Sequence, residues 1–523
     1  MNKPLLFLLV LWLLGCSANR NAEENIAAIL PSNPIISGEF PDPSVIEVDG
    51  VFYACGTSND WAPLYPIYSS VDLMHWELVS YVFPEAPSWT SAGFWAPELF
   101  YRNGTFFCYY TAKDKSGVSR IGVATSTSIA AGFEDNGPII SWGKESIDAF
   151  VNVVDDQLYI SWKAYGLDAD KPIQILGSRL SANGLALEGE VFPILTADAN
   201  NWERGGIEGQ SIIQKNDFLY LYYSGAACCG GECDYKLGVA RSRTMLGPWE
   251  KFPENPIMSD YGSWKCPGHG TPIAHEEQWY YIYHAYPSEG FPFMGRAALI
   301  DPFYWDDQSS WPYFKAKEGD SSASPYSPLD FHDSFEGDHL KKEWRWNGTE
   351  YSPQMEISKG RLQLSALDAA PTSPVVLAII PENPSYHISV TLPTQGESFK
   401  GLCLYGTASN NLGLGVKSGN LVVYQVLQGD YQNIPLSDNY VLEGASTELR
   451  IQVEMGHIAE FYLKTNHGWT SLKHPSGDVI RIKGDFLEFW QWGVKPGLFV
   501  QGSGVAEFYD FSLSYTPSSE PAN

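Results

Sequence analysis

At 523 residues, with 14% aromatic residues, 18 tryptophans and 30 tyrosines against only 18% charged residues, the chain reads as a globular protein rich in rings, long enough for roughly two to four domains. Its formal net charge of -28 argues against nucleic acid and anionic lipid as ligands, because phosphate contacts need lysine and arginine. Neutral sugars stay open, since their apolar faces stack on aromatic rings without charge.

The chain begins Met1-Asn2-Lys3, then an apolar run from Pro4 to Leu14, then Gly15-Cys16. This is a secretory-signal pattern, too short for a spanning helix, which needs about 20 apolar residues. Leu13-Leu14-Gly15-Cys16 resembles the bacterial lipobox, whose cysteine is lipidated and becomes the first residue of the mature chain. With Ser17 and not Asp next, the resemblance implies an outer-membrane anchor in a Gram-negative host. Residues 1–16 are then the signal peptide and 17–32 a polar tether, with membrane contact through the lipid anchor only.

Phe40-Pro41-Asp42-Pro43-Ser44 follows. The two prolines make a stiff, non-helical entry into extended chain around one carboxylate. From here a plan of acid, β-rich run, turn and aromatic strand repeats: DPSVIEVDGVFYACGTS (42–58), PELFYRNGTFFCYYTA (97–112), IDAFVNVVDDQLYISWKAY (147–165), IEGQSIIQKNDFLYLYYSG (207–225) and GTPIAHEEQWYYIYHAY (270–286). Each copy is followed by another strand-like run, and copies start about 50–60 residues apart, enough for a four-stranded sheet. Five such units predict a five-bladed β-propeller over 33–315.

In a propeller the first strand of each blade lines the axis, so equivalent positions converge there. Asp42, Glu98, Asp148 and Glu208 each stand about ten residues before their repeat's aromatic strand, and the repeat is expected to gather them. Crowded carboxylates suit glycosidic cleavage, which needs a proton donor for the leaving oxygen and a second carboxylate opposite; crowding also raises the pKa of one member.

Seven cysteines remain after Cys16: Cys55, Cys108, Cys228, Cys229, Cys233, Cys266 and Cys403. An odd number in an exported chain leaves at least one thiol free or paired between molecules. The Cys228–Cys233 cluster reads as a loop stiffened by a disulfide of unassigned pairing; a zinc site would need a second Cys/His pair at finger spacing.

Over 33–315 the chain resembles glycoside hydrolase family 43, inverting five-bladed propellers acting mostly on plant arabinans and xylans. The resemblance rests on the order and spacing of Phe40-Pro41-Asp42-Pro43-Ser44, Trp95-Ala96-Pro97-Glu98, Ser146-Ile147-Asp148, Gly206-Ile207-Glu208-Gly209, Pro267-Gly268-His269-Gly270, and Gly295-Arg296 leading to Ile300-Asp301-Pro302. It implies Asp42 as general base, Glu208 as general acid and Asp148 as the carboxylate that tunes and orients the acid. It further implies Arg296, Trp95 and Phe40 against the innermost sugar, and His269 on the axis facing a calcium or water cluster. Glu98 would fix its loop. No cofactor is implied for the chemistry, and any calcium is structural. Ala149 departs from the proline usual after the third aspartate, and the Cys228-Cys229 loop is not general in the family. The retaining sucrose and fructan hydrolases fit less well, since no Arg-Asp-Pro occurs.

Residues 316–328 are small, polar and proline-containing, as linkers are. From 329 to 515 short alternating strands such as Leu362-Gln363-Leu364 and Leu449-Arg450-Ile451-Gln452-Val453 predict a β-sandwich, with a tail at 516–523. Asp333-Ser334-Phe335, Trp344-Arg345-Trp346-Asn347, Gly497-Leu498-Phe499-Val500 and Phe508-Tyr509-Asp510-Phe511 resemble the concanavalin-A-like domain appended to many members of the family. In such relatives the sandwich can narrow a groove into a pocket, which favours exo cleavage of terminal arabinofuranosyl or xylosyl residues from plant polysaccharides or oligosaccharides. The alternatives are an endo-arabinanase, a galactosidase, or a non-catalytic sugar-binding lipoprotein.

Overall fold

The computed structural model describes residues 33–315, 328–348, 353–366, 374–437, 440–442 and 444–515. The signal, lipidation site and tether expected over 1–32, nearly all of the linker and the tail lie outside the described residues. Five four-stranded antiparallel sheets follow in chain order, each pairing its strands in sequence. Their first strands are Ser44–Val48, Thr90–Arg102, Ser146–Val154, Ile207–Lys215 and Trp264–His275. They form the five blades of the expected propeller. The first hairpins close on tight turns at Asp49-Gly50, Asn103-Gly104 and Asp155-Asp156, where both residues have positive φ, the backbone twist that matches paired strands. The aromatic second strands fill the seams between blades. Phe107, Tyr109 and Val123 of blade 2, for example, pack against Val151, Ile160 and Trp162 of blade 3.

One backbone feature recurs in every blade. Six residues before the last paired residue of each first strand, the chain turns to positive φ: Asp42 before Val48, Ala96 before Arg102, Asp148 before Val154, Gly209 before Lys215 and His269 before His275. In blades 2 to 5 this position falls within a register shift of the first hairpin. Such bulges bend a strand and re-aim its side chains, and non-glycine residues adopt positive φ at a cost that the surrounding structure must cover. The ring of five left-handed residues thus turns the first strands at one axial level.

The second domain is a sandwich of two sheets whose core packs Ile388, Val390, Phe461 and Phe511 against Leu402, Leu404, Leu412 and Leu414, all fully buried. Burial of each such side chain contributes roughly 1.5–3 kcal/mol. One of its sheets takes its edge strand from the propeller: Trp61–Ala62, in the first blade, pairs with Arg345–Asn347. Trp61 is 1% exposed, sets its ring edge-on to Tyr405 and offers its carbonyl to Arg345 at 2.9 Å. Near it Lys495 of the sandwich forms a buried ion pair with Glu39, three residues ahead of Asp42. The domains therefore share a sheet edge and a buried charge pair.

Candidate active site

Asp42, Asp148 and His269 meet because three blades place their left-handed residue at the same level. His269 Nδ1 lies 3.3 Å from Asp42 Oδ1 and 3.9 Å from Asp148 Oδ2. Blade 4 puts glycine at this position. A Cβ at Gly209 would stand 2.7 Å from the His269 ring, so glycine there leaves room for the imidazole, and the carboxylate of blade 4, Glu208, comes one residue earlier.

Asp42 is gripped from several sides. Thr57 Oγ1 donates to Oδ2 at 2.6 Å, Arg296 donates to Oδ1 at 3.3 Å, and the Asp42 backbone N–H donates to His284 Nδ1 at 3.0 Å. Burial pushes its carboxyl upward, but Arg296, His269 and His284 overcome this and hold it well below the usual carboxylate range. Burial, seconded by Arg296, drives His284 the other way, to about 4, so its ring is neutral. His269 is raised to about 9 by Asp42 and Asp148 against burial. Asp42 is thus an ionised carboxylate, oriented by a permanent cation and an imidazolium.

Asp148 and Glu208 form the second centre. Asp148 Oδ2 accepts the Gly209 N–H at 3.0 Å, and its own N–H donates to Thr111 at 3.1 Å. Burial, seconded by the negative charges of Glu208 and Asp42, lifts Asp148 to about 7. Glu208 receives Lys163 Nζ at 2.7 Å on Oε2 and the Tyr235 hydroxyl at 3.1 Å on Oε1. Burial raises its carboxyl, but the Lys163 charge outweighs this and holds it below its ordinary value. Access separates the two: the Glu208 side chain is 17% exposed and that of Asp148 only 7%. Glu208 is the more accessible of the two carboxyls.

Two sequence expectations are corrected. Glu98 is not equivalent to the other acids. It sits two residues beyond the left-handed residue Ala96, buried, with Ser44 Oγ donating to Oε2 at 2.6 Å and the Val151 N–H to Oε1 at 3.4 Å. Burial lifts it to about 8, so it is a neutral strut between blades 1 and 3. Phe40 is not a sugar platform: it is 1% exposed, edge-on to Tyr68 and lodged against Gly56, beneath the chain that carries Asp42. Thr57, Lys163, Tyr235 and His284 were not singled out from sequence. Lys163 had a signal, a lone charge within the otherwise uncharged Tyr159-Ile160-Ser161-Trp162-Lys163-Ala164.

The rim is built from both domains. Trp95 carries Lys113 Nζ 5.0 Å over its ring and faces the half-exposed Trp490 of the sandwich with centroids 6.3 Å apart. The cysteine loop forms two disulfides, Cys228–Cys229 and Cys233–Cys266. Its Gly231 N–H donates to Glu488 at 2.9 Å and its Gly230 packs on Trp490. Cys55, Cys108 and Cys403 are free and buried, consistent with the odd count. Among the described residues no group of three or more His, Cys, Asp or Glu side chains is arranged to hold a metal ion, and His269 turns Nδ1 to the aspartates.

The family model for glycosyl hydrolases family 43 matches residues 31–312, and that for the beta xylosidase C-terminal concanavalin A-like domain matches residues 332–514. The chain belongs to glycosyl hydrolase family 43. Similar curated members include a xylan 1,3-beta-xylosidase of a Vibrio species, 26% identical over 311 residues, and a non-reducing end alpha-L-arabinofuranosidase of Bacteroides ovatus, 26% identical over 325 residues. These alignments cover 54% and 59% of this chain and 56% of each relative, so the chain spans about half the length of the curated family 43 proteins it matches. The fold of the whole is that of the xylan beta-1,4-xylosidase of Bacillus halodurans, with a TM-score of 0.79 at 20% identity over 93% of this chain and 100% of that one.

Proposed function

We propose that this chain is an inverting, exo-acting glycoside hydrolase that releases terminal α-L-arabinofuranosyl or β-D-xylosyl residues from plant cell-wall polysaccharides or oligosaccharides. The observation that carries the reading is the division of labour at one axial level. Asp42 is held ionised by Arg296 and His269, while Glu208 is more accessible than Asp148. Asp42 takes a proton from water as that water attacks the anomeric carbon, and Glu208 protonates the departing oxygen. Arg296, anchored on Asp42, and Trp95 would contact the sugar in the innermost subsite. Inversion requires carboxyl groups about 6.5–9.5 Å apart, with room for the water between them.

The exo reading is supported by the rim. Trp490 and Glu488 reach from the sandwich to the mouth beside Trp95 and the cysteine loop, and a walled mouth admits a chain end in preference to a chain interior. One of the curated relatives described above is named for action at the non-reducing end. The proposed setting is an exported protein, lipid-anchored through Cys16 to the outer membrane. Metabolic labelling with a fatty-acid probe, lost in Cys16→Ala, tests that part.

The test of the chemistry is hydrolysis of aryl α-L-arabinofuranoside, β-D-xyloside and β-D-galactoside beside the matching unactivated disaccharides. Asp42→Ala should be inactive on all of them, because attack by water is always needed. Glu208→Gln should lose the disaccharides and keep part of its rate on aryl glycosides, whose leaving groups need little protonation. An Asp42→Ala protein that still turns over aryl glycosides would overturn the assignment.

A further inference from the structure

The proposed acid carries a difficulty in its own surroundings. A carboxyl that must donate a proton is paired with an ammonium 2.7 Å away, and such a pair keeps it ionised. Lys163 cannot simply withdraw to water, since its side chain is only 12% exposed. It does have a second carboxylate within reach. Glu145, the residue before the first strand of blade 3, places Oε2 3.5 Å from Lys163 Nζ. That oxygen is buried and makes no hydrogen bond, an expensive arrangement for a carboxylate. Space is kept for it: a Cβ on Gly166 would stand 1.8 Å from Glu145 Oε2 and 3.2 Å from Lys163 Cε. The mechanism above uses neither Glu145 nor Gly166.

We propose that Lys163 and Glu145 form a counter-ion switch for the general acid, in which Lys163 passes its ion pair from Glu208 to Glu145 as substrate enters and Glu208 takes up the proton it will donate. The balance closes. Lys163 keeps its proton throughout, while Glu208 gains one proton from solvent and gives it to the leaving oxygen. Glu208 then returns to the carboxylate that Lys163 pairs with in the free protein. The charged and titratable groups facing Lys163 are Glu208, Glu145 and Asp148; those facing Glu208 are Lys163, His269, Tyr235 and Asp148. Glu145 is the one that touches Lys163 without an established task. Both act through Glu208 and are positioning residues.

This inference rests on Glu208 being the acid, so the experiment reads that assignment separately. The pH dependence of kcat/KM is measured on an unactivated disaccharide and on a dinitrophenyl glycoside of the same sugar, using the full mature chain. Glu208→Gln must lose the disaccharide and spare the dinitrophenyl glycoside; otherwise the acid assignment itself has failed. Given that, Glu145→Gln leaves Lys163 only Glu208 to pair with. The alkaline limb on the disaccharide should move down by about one pH unit, roughly tenfold in rate above the limb, with the dinitrophenyl profile unmoved. Lys163→Gln should move the same limb up, and Glu145→Asp, which keeps the charge, should restore it. An alkaline limb unchanged in Glu145→Gln, or equal losses on both substrates, would overturn the switch.

Discussion

Gly493→Ala isolates the contribution of the sandwich to the active site. Gly493 lies in the loop that delivers Trp490, where an added Cβ would meet Gly295 N and Met294 C at 2.6 Å and Phe293 O at 2.8 Å. All three are backbone atoms of the propeller, so no side chain can swing aside. The next residue donates its N–H from Val494 to Phe293 O at 2.7 Å, a bond the displaced loop would lose. Overpacking of this kind costs roughly 1–3 kcal/mol and the lost hydrogen bond about 1 kcal/mol. Together these disfavour the seated loop by roughly 2–4 kcal/mol, equivalent to a roughly 30- to 700-fold change in its population at about 1.4 kcal/mol per decade. The assay is the product distribution from whichever xylo- or arabino-oligosaccharide the unmodified protein degrades, with KM alongside. The unmodified protein should release monosaccharide alone. The variant should bind chain ends at least tenfold more weakly and release longer fragments, with both domains still folded by circular dichroism. Monosaccharide as the sole product at an unchanged KM would refute the argument that the sandwich walls the mouth.

Two further outcomes concern stability. His269 is raised from about 6.5 to about 9 in the folded protein, so its charge contributes stability that is fully present below pH 6.5 and lost as pH rises through 9. Unfolding free energy should decline over that window, by on the order of 3 kcal/mol if fully expressed, and His269→Asn should flatten the decline; an identical slope in the variant would contradict the ion pairs drawn with Asp42 and Asp148. The Cys233–Cys266 disulfide spans a sequence separation of 33, and replacing both cysteines with serine should lower stability by about 4 kcal/mol on the loop-entropy argument, read as a lower denaturant midpoint. An unmoved midpoint would mean that Tyr235 and the sandwich contacts order this loop without the crosslink.

The propeller was legible because each blade repeats acid, β-run, turn and aromatic strand, and the sandwich because its strands alternate cleanly. The meeting of Asp42 and Asp148, with Glu208 beside them, was legible for a related reason, since equivalent strand positions converge on the axis. What repeats in the structure, however, is a backbone conformation carried by Asp42, Ala96, Asp148, Gly209 and His269. Residue type does not follow it, and grouping acids by rough offset therefore enrolled Glu98. Phe40 was misplaced because an aromatic beside the base looks the same in sequence whether it faces sugar or core. Thr57 and Tyr235 are ordinary loop residues that meet Asp42 and Glu208 inside their own blades, and the contact of His284 with Asp42 exists only once blade 5 closes on blade 1. The shared sheet edge at Trp61–Ala62 joins residues 284 apart, a separation over which sequence pattern carries no signal. The Cys233–Cys266 pairing likewise depends on blades 4 and 5 standing side by side.

The central claim is that Asp42 activates water for a single displacement, and the anomeric configuration of the first-formed sugar tests it most directly. Hydrolysis followed by proton NMR at high protein concentration, before mutarotation scrambles the product, should show the anomer opposite to the substrate's. Release of the sugar with its configuration kept would place a covalent intermediate on the path and contradict the account of Asp42.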